Sequence, residues 1–215
     1  MLKRTILIST LVASMLTVSL NAKGHGDNGQ SYNSDRGNYQ QDRDRRGHHG
    51  NNGERGNHEV SSMDNIPLSN LTDEQKSSLL YMAEEEKLAR DTYLYFNDLW
   101  GSRIFQNIAN SEQKHMDRMK ALVDRYELEV PATFNVRGEF QNQELQALYN
   151  SLIEKGKSSL IDALEVGVTI EETDIADLEE IIESGDLPEE FKTSYEKLLK
   201  GSYNHLKNFN KQLGR

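Results

Sequence analysis

From Leu79 onward, apolar residues recur at alternating intervals of three and four, the spacing that keeps side chains on one face of an α-helix. Four long stripes result. The first runs Leu79, Met82, Glu86, Ala89, Tyr93, Phe96, Trp100, and the second Phe105, Ile108, Glu112, His115, Met119, Leu122, Tyr126. The third is Ile161, Leu164, Val168, Glu171, Ile175, Leu178, Ile182, and the fourth Phe191, Tyr195, Leu198, Ser202, His205, Phe209. Local signals bound the helices. Thr72 caps the first and Gln75 completes a capping box. Gly101 ends that helix after Trp100, and the second follows at once, from about Arg103 to Tyr126, so the two are antiparallel neighbours. Pro131 and Gly138 then interrupt the pattern, and a shorter amphipathic piece from Gln143 to Lys155 closes at Gly156. The third long helix begins near Ser158 and ends around Ser184 and Gly185. The fourth starts at Asp186, Leu187 and Pro188 and runs to about Leu213. No strand pattern competes. The expectation is an all-α, antiparallel four-helix bundle with a long crossover, containing a short helix, between the second and third long helices.

Each stripe is apolar at both ends and broken near its middle by a group able to ligate a metal: Glu86, Glu112 with His115, Glu171, and His205. A carboxylate or imidazole placed among apolar side chains is costly unless paired, hydrogen-bonded or metal-bound. Four breaks at one level call for a common cause, and a pair of divalent cations supplies one, with carboxylates neutralising the ions and imidazoles completing their coordination. Glu112 and His115 form Glu-x-x-His, which puts both side chains on one face, and Glu171 with Asp174 repeats the three-residue offset. The candidate ligands are therefore Glu86, Glu112, His115, Glu171, Asp174 and His205, with Tyr93 as a second donor behind them. Simpler readings stand beside each. Glu84, Glu85 and Glu86 in a row read as a solvated face, and Glu172 competes with Glu171. Asp174 lies one position off the stripe, and Tyr93, Tyr195 and Trp100 read as core aromatics. A metal-free bundle with a polar layer is the alternative for the whole set.

The first 62 residues look different. Lys3 and Arg4 precede an uncharged run from Thr5 to Leu20, and Asn21 and Ala22 follow, which predicts a signal peptide over 1–22 cleaved after Ala22. The run is shorter and richer in hydroxyls than a membrane span requires, so no stable membrane insertion is expected after cleavage. Residues 23–62 are Gly, Asn, Asp, Arg and His with hardly an apolar side chain, a composition expected to stay disordered, and its His25, His48, His49 and His58 read as part of a spacer. Residues 63–215 then form the folded domain. The whole chain carries a net charge of -10, and since the signal is positive and the spacer balanced, the domain itself is strongly acidic. Such a surface excludes nucleic acid as a partner and suits cations. The absence of cysteine removes disulfides, thiolate ligands and thiol catalysis, leaving only N and O ligands for a metal.

Two hairpins joined by a long crossover is the arrangement of ferritin-like bundles. The string Glu86-Lys87-Leu88-Ala89-Arg90-Asp91-Thr92-Tyr93 resembles the first-helix motif of rubrerythrin-type ferritin-like proteins, and Glu112 with His115 matches their second-helix Glu-x-x-His. Closer still, Ala83 to Asp91, Ser111 to Met116, Glu171 to Leu178, and Asn204-His205-Leu206 resemble the bacterial and archaeal family DUF2202 over about residues 67 to 210. The resemblance implies a four-helix bundle holding two iron ions, with manganese or a mixed pair as alternatives. It also implies an oxidoreductase of ferroxidase or peroxidase type whose partners are metal ions and small oxidants. The chain departs from the rubrerythrin pattern where Ser202 stands three residues before His205 in place of Glu, so either Asp174 supplies the missing carboxylate or the second metal is weak or absent. Expected location is periplasmic or secreted, and association as a homodimer is left open. A non-catalytic metal-binding or structural bundle is the competing function.

Overall fold

The computed structural model describes residues 67–185 and 187–215. The expected signal peptide, the 23–62 spacer with its four histidines, the first residues of the expected domain and the cap at Asp186 lie outside the described residues. Among the described residues there are five α-helices and no strands: α1 Asp73–Trp100, α2 Arg103–Arg125, α3 Gln143–Gly156, α4 Leu160–Glu183 and α5 Glu189–Leu213. A short 3-10 turn, Ala132–Asn135, lies between α2 and α3. No described helix is long and apolar enough to cross a membrane.

The ends form as the local chemistry dictates. Thr72 Oγ1 accepts from Gln75 N at 3.2 Å while Gln75 Oε1 accepts from Thr72 N at 2.9 Å, the reciprocal capping box. Gly101 takes φ 63°, where a side chain would be strained, and its N–H closes the helix on Asn97 O at 2.8 Å. Only Gly101 and Ser102 join α1 to α2, and the two helices pack together, so they run antiparallel. Asn142 caps α3 through the N–H groups of Glu144 and Leu145, and Ser159 caps α4 through Asp162 N, one residue later than the sequence suggests.

The largest packing interfaces are α1 with α2 and α4 with α5, and the two pairs meet through α2 with α5 and α1 with α4. A four-helix bundle is compatible with these contacts. The predicted stripes supply the core: Leu79, Met82, Tyr93, Phe96, Phe105, Met119, Leu122, Leu178, Tyr195, Leu198 and Phe209 are wholly buried. Ile161 is the exception, 64% exposed. It is in phase with its stripe but lies in the first turn of α4, where no neighbour covers it.

The short helix α3 packs on both α1 and α4 and so buries a second face of α1. Glu84, Lys87 and Asp91, at helical spacing on that face, grip the backbone leading into α3. Glu84 accepts from Gln141 N at 2.6 Å and Asn142 N at 3.1 Å, and Asp91 Oδ2 accepts from Gly138 N at 2.9 Å. Lys87 Nζ donates to Asp91 Oδ2 at 2.7 Å and to Glu139 O at 2.9 Å, and sits 4.1 Å above the Phe140 ring. Arg90 closes the set, donating to both Asp91 Oδ1 and Gln113 on α2. The Glu84–Glu86 run is thus no solvated face; all three carboxylates are buried. Lys87 and Asp91 are fully shielded, a geometry in which removing one charge strands the other.

Candidate metal centre

Midway along the bundle α1 contributes Glu86, α2 Glu112 and His115, α4 Glu171, and α5 His205. The five converge because each sits on the inward stripe of its helix at one height. His115 Nδ1 lies 2.8 Å from Glu112 Oε2 and 3.3 Å from Glu86 Oε2. His205 Nδ1 lies 2.7 Å from Glu112 Oε1 and 3.5 Å from Glu171 Oε2. Glu112 therefore serves two groups at once, one oxygen each, and the two imidazole centroids are 5.5 Å apart. Within each group, Glu86–Glu112–His115 and Glu112–Glu171–His205, all ligand atoms fall within 4.8 Å of one another.

The donors suit divalent cations. Two ligands at right angles on one ion, each about 2.1 Å from it, stand about 3 Å apart, and the nitrogen–oxygen separations cluster around that value. Neither Nδ1 has an aligned hydrogen-bond partner despite these short separations, and Glu86 Oε1 and Asp174 Oδ1 are likewise buried without one. These four atoms, drawn from α1, α2, α4 and α5, leave coordination capacity unused.

The remaining residues brace the set. Tyr93, wholly buried, donates its hydroxyl to Glu171 Oε1 at 2.6 Å, and its ring packs 5.2 Å from Phe209. The Ser202 hydroxyl, with one proton to donate, lies within hydrogen-bond reach of both Asp174 Oδ2 and Leu198 O. Asp174 is buried in the same layer, opposite the position where α5 carries Ser202, but belongs to neither three-ligand group. Of the rival pair, Glu171 is 2% exposed and faces the cluster, whereas Glu172 is exposed. Gly201 is required beside His115: a Cβ there would stand 2.5 Å from Nε2 and closer still to Cε1. A cavity between α1 and α4 reaches the carboxylates, and Leu88, Ala89, Leu148, Leu152 and Ile170 give it an apolar wall.

Sequence reasoning missed three contributors. Glu85 lines the cavity, Gly201 makes room for the imidazole, and Asp177 contacts Glu85. The three-residue spacing of acids along α4 was the available signal for Asp177.

Without bound cations the charges settle among themselves. Burial alone would lower His115, but the Glu86 charge and contact with Glu112 overcome it and raise the imidazole to about 11. His205 is raised to about 10 against the same burial penalty by Glu112 and Glu171. Glu112, which burial would raise, is held far below the usual range because both imidazoles flank it. Burial and the neighbouring Glu112 charge push Glu171 up, and burial with the surrounding acids pushes Glu85 and Asp174 up strongly.

A family model described as an uncharacterized protein domain, DUF2202, matches residues 75–215. An uncharacterized protein of Methanocaldococcus jannaschii, MJ0754, is 47% identical over 148 residues, covering 69% of this chain and 80% of the relative. The crystal structure of that hypothetical protein superposes with a TM-score of 0.67 at 46% identity, over 69% of this chain and 85% of the other.

Proposed function

This chain belongs to the DUF2202 family, and we propose that its helical domain is a ferritin-like protein that holds two metal ions, iron by preference, and oxidises Fe(II) with oxygen or peroxide. We assign the segment around α3 as the crossover of that bundle, and the protein as exported to the periplasm or beyond. The observation that carries the reading is Glu112: one buried carboxylate shared, oxygen by oxygen, between two Glu/His groups related across the bundle.

In this reading Glu86, Glu112 and His115 would hold one ion, and Glu112, Glu171 and His205 the other. When bound, two iron ions would supply Lewis acidity and electrons to a small oxidant. The chain's own residues do the rest. Tyr93 fixes Glu171 by donating to one of its oxygens, leaving the other for the ion, the kind of outer support that sets ligand orientation. Asp174 answers the departure at Ser202, bringing a carboxylate into the layer from α4 where α5 has only a hydroxyl. The apolar wall of the cavity keeps bulk water off the carboxylates while leaving room for a small oxidant. With no cysteine in the chain, electrons come from Fe(II) itself or from an external donor.

Elemental analysis of the purified full chain, beside a His115→Ala/His205→Ala variant, tests the site. About two iron or manganese ions per chain, lost in the variant, are expected, after which Fe(II) oxidation and peroxide turnover are assayed. Failure of the wild-type chain to retain metal after anaerobic Fe(II) loading would refute the reading.

A second reading, a structural bundle without metal, draws support from the two imidazoliums that flank and pair with ionised Glu112. It predicts that chelator leaves the melting temperature unchanged, whereas a bound ion raises it.

A further inference from the structure

Beyond the two Glu/His groups, the acids of α4 follow a pattern of their own. Glu171, Asp174, Asp177 and Glu180 recur every third residue. Three residues advance an α-helix by about 300°, so each step slips back about 60° around the axis while climbing about 4.5 Å. A row with this spacing cannot stay on one face; it winds from the core to the surface. Burial follows the winding: Glu171 is 2% and Asp174 7% exposed, Asp177 is half-buried and Glu180 is exposed. Glu85 meets the row from α1, beside Asp177 and within electrostatic reach of Asp174 and Glu86.

A second observation points to a ligand. Glu85 Oε2 and Asp174 Oδ1 are buried without a hydrogen-bond partner, on residues only 8% and 7% exposed, and both residues line the cavity that reaches Glu86, Glu112 and Glu171. Neither residue belongs to a three-ligand group.

We propose that Glu180, Asp177, Glu85 and Asp174 form the path by which divalent cations travel from solvent to the metal centre, with Glu85 and Asp174 as its innermost stop. The inference rests on the two-metal reading above. Its direction is built into the ligand chemistry. Glu180, Asp177, Glu85 and Asp174 offer only carboxylate oxygens, and neither close three-ligand group among the described residues includes any of these four, so a cation is held there by few ligands and loosely. The centre adds imidazole nitrogens, which favour borderline ions such as Fe(II) and Co(II). Affinity therefore rises inward along the row, and the negative potential of the aligned acids concentrates cations at its outer end.

Rapid mixing of the metal-free full chain with Co(II), followed by the visible absorption of the bound ion, tests this. A Glu85→Gln/Asp177→Asn double variant is expected to load about tenfold more slowly, with weaker dependence on salt, yet reach the same final stoichiometry. Glu172→Gln, which removes an exposed charge of α4 outside the row, should load at the wild-type rate. Asp177→Asn alone, altering a half-buried residue, carries the test should the double variant melt at much lower temperature. Wild-type loading rates in these variants would overturn the proposal, and so would a lower final stoichiometry, which would make the residues ligands. A wild-type chain that takes up no Co(II) would instead sink the two-metal reading on which the path depends.

Discussion

Replacing Gly201 by alanine isolates the geometry of the metal centre from the stability of the fold. The new Cβ would stand 2.5 Å from His115 Nε2, about 1 Å inside ordinary van der Waals contact, so the imidazole must retreat by roughly that distance. His115 Nδ1 now sits 2.8 Å from Glu112 and 3.3 Å from Glu86, and a ring displaced by about 1 Å leaves the position that both carboxylates address. Two opposed effects act on the fold. Alanine in a helix interior gains about 0.5–1 kcal/mol over glycine, whereas forcing a methyl into packed surroundings costs about 1–3 kcal/mol. Their difference leaves the metal-free domain folded with a modest change in melting temperature. Metal affinity should fall much more, by about 10- to 100-fold, the range seen when the support of a ligand is disturbed. Competitive Co(II) titration of wild type and Gly201→Ala, with thermal melts of both metal-free forms, measures the two quantities separately. Equal affinity in the two proteins would refute the claim that His115, held where Gly201 admits it, ligates metal.

Three further outcomes follow from the same contacts. Tyr93→Phe removes the hydroxyl that donates to buried Glu171, and should destabilise the domain by about 1–3 kcal/mol in urea denaturation while weakening one of two bound ions. Asp91→Ala strands buried Lys87 and frees Gly138 N, so a loss of about 3–5 kcal/mol is expected, measured the same way; a loss under about 1 kcal/mol would show the clamp to be dispensable. Because the folded imidazoles titrate near 11 and 10, above the ordinary value near 6.5, their contribution to metal-free stability is complete below about pH 6.5 and is lost as pH rises through 10 to 11. Metal binding at pH 7 must then expel about two protons, which calorimetry in buffers of different ionisation enthalpy would detect.

The α-helical class, the helix ends at Thr72, Gly101 and Gly156, and the inward stripes were readable in the chain, because capping and three-four periodicity are properties of neighbouring residues. Glu86, Glu112, His115, Glu171 and His205 were readable for the same reason, as polar breaks in apolar stripes. The relation among the stripes was not. Periodicity gives the phase of one helix but not which surfaces its neighbours cover. It therefore put Ile161 in the core, although the first turn of α4 stands uncovered, and it gave Glu84 and Glu85 to solvent, although α3 packs over a second face of α1. The three-residue offset from Glu171 picked out Asp174, but not its bond to Ser202, which joins residues 28 apart in the sequence. The sharing of Glu112 between two histidines depends on α2 and α5 meeting at one height, so that His205 reaches the carboxylate His115 already flanks. Local sequence sets the side chains that can meet there; the packing of the whole domain decides that they do.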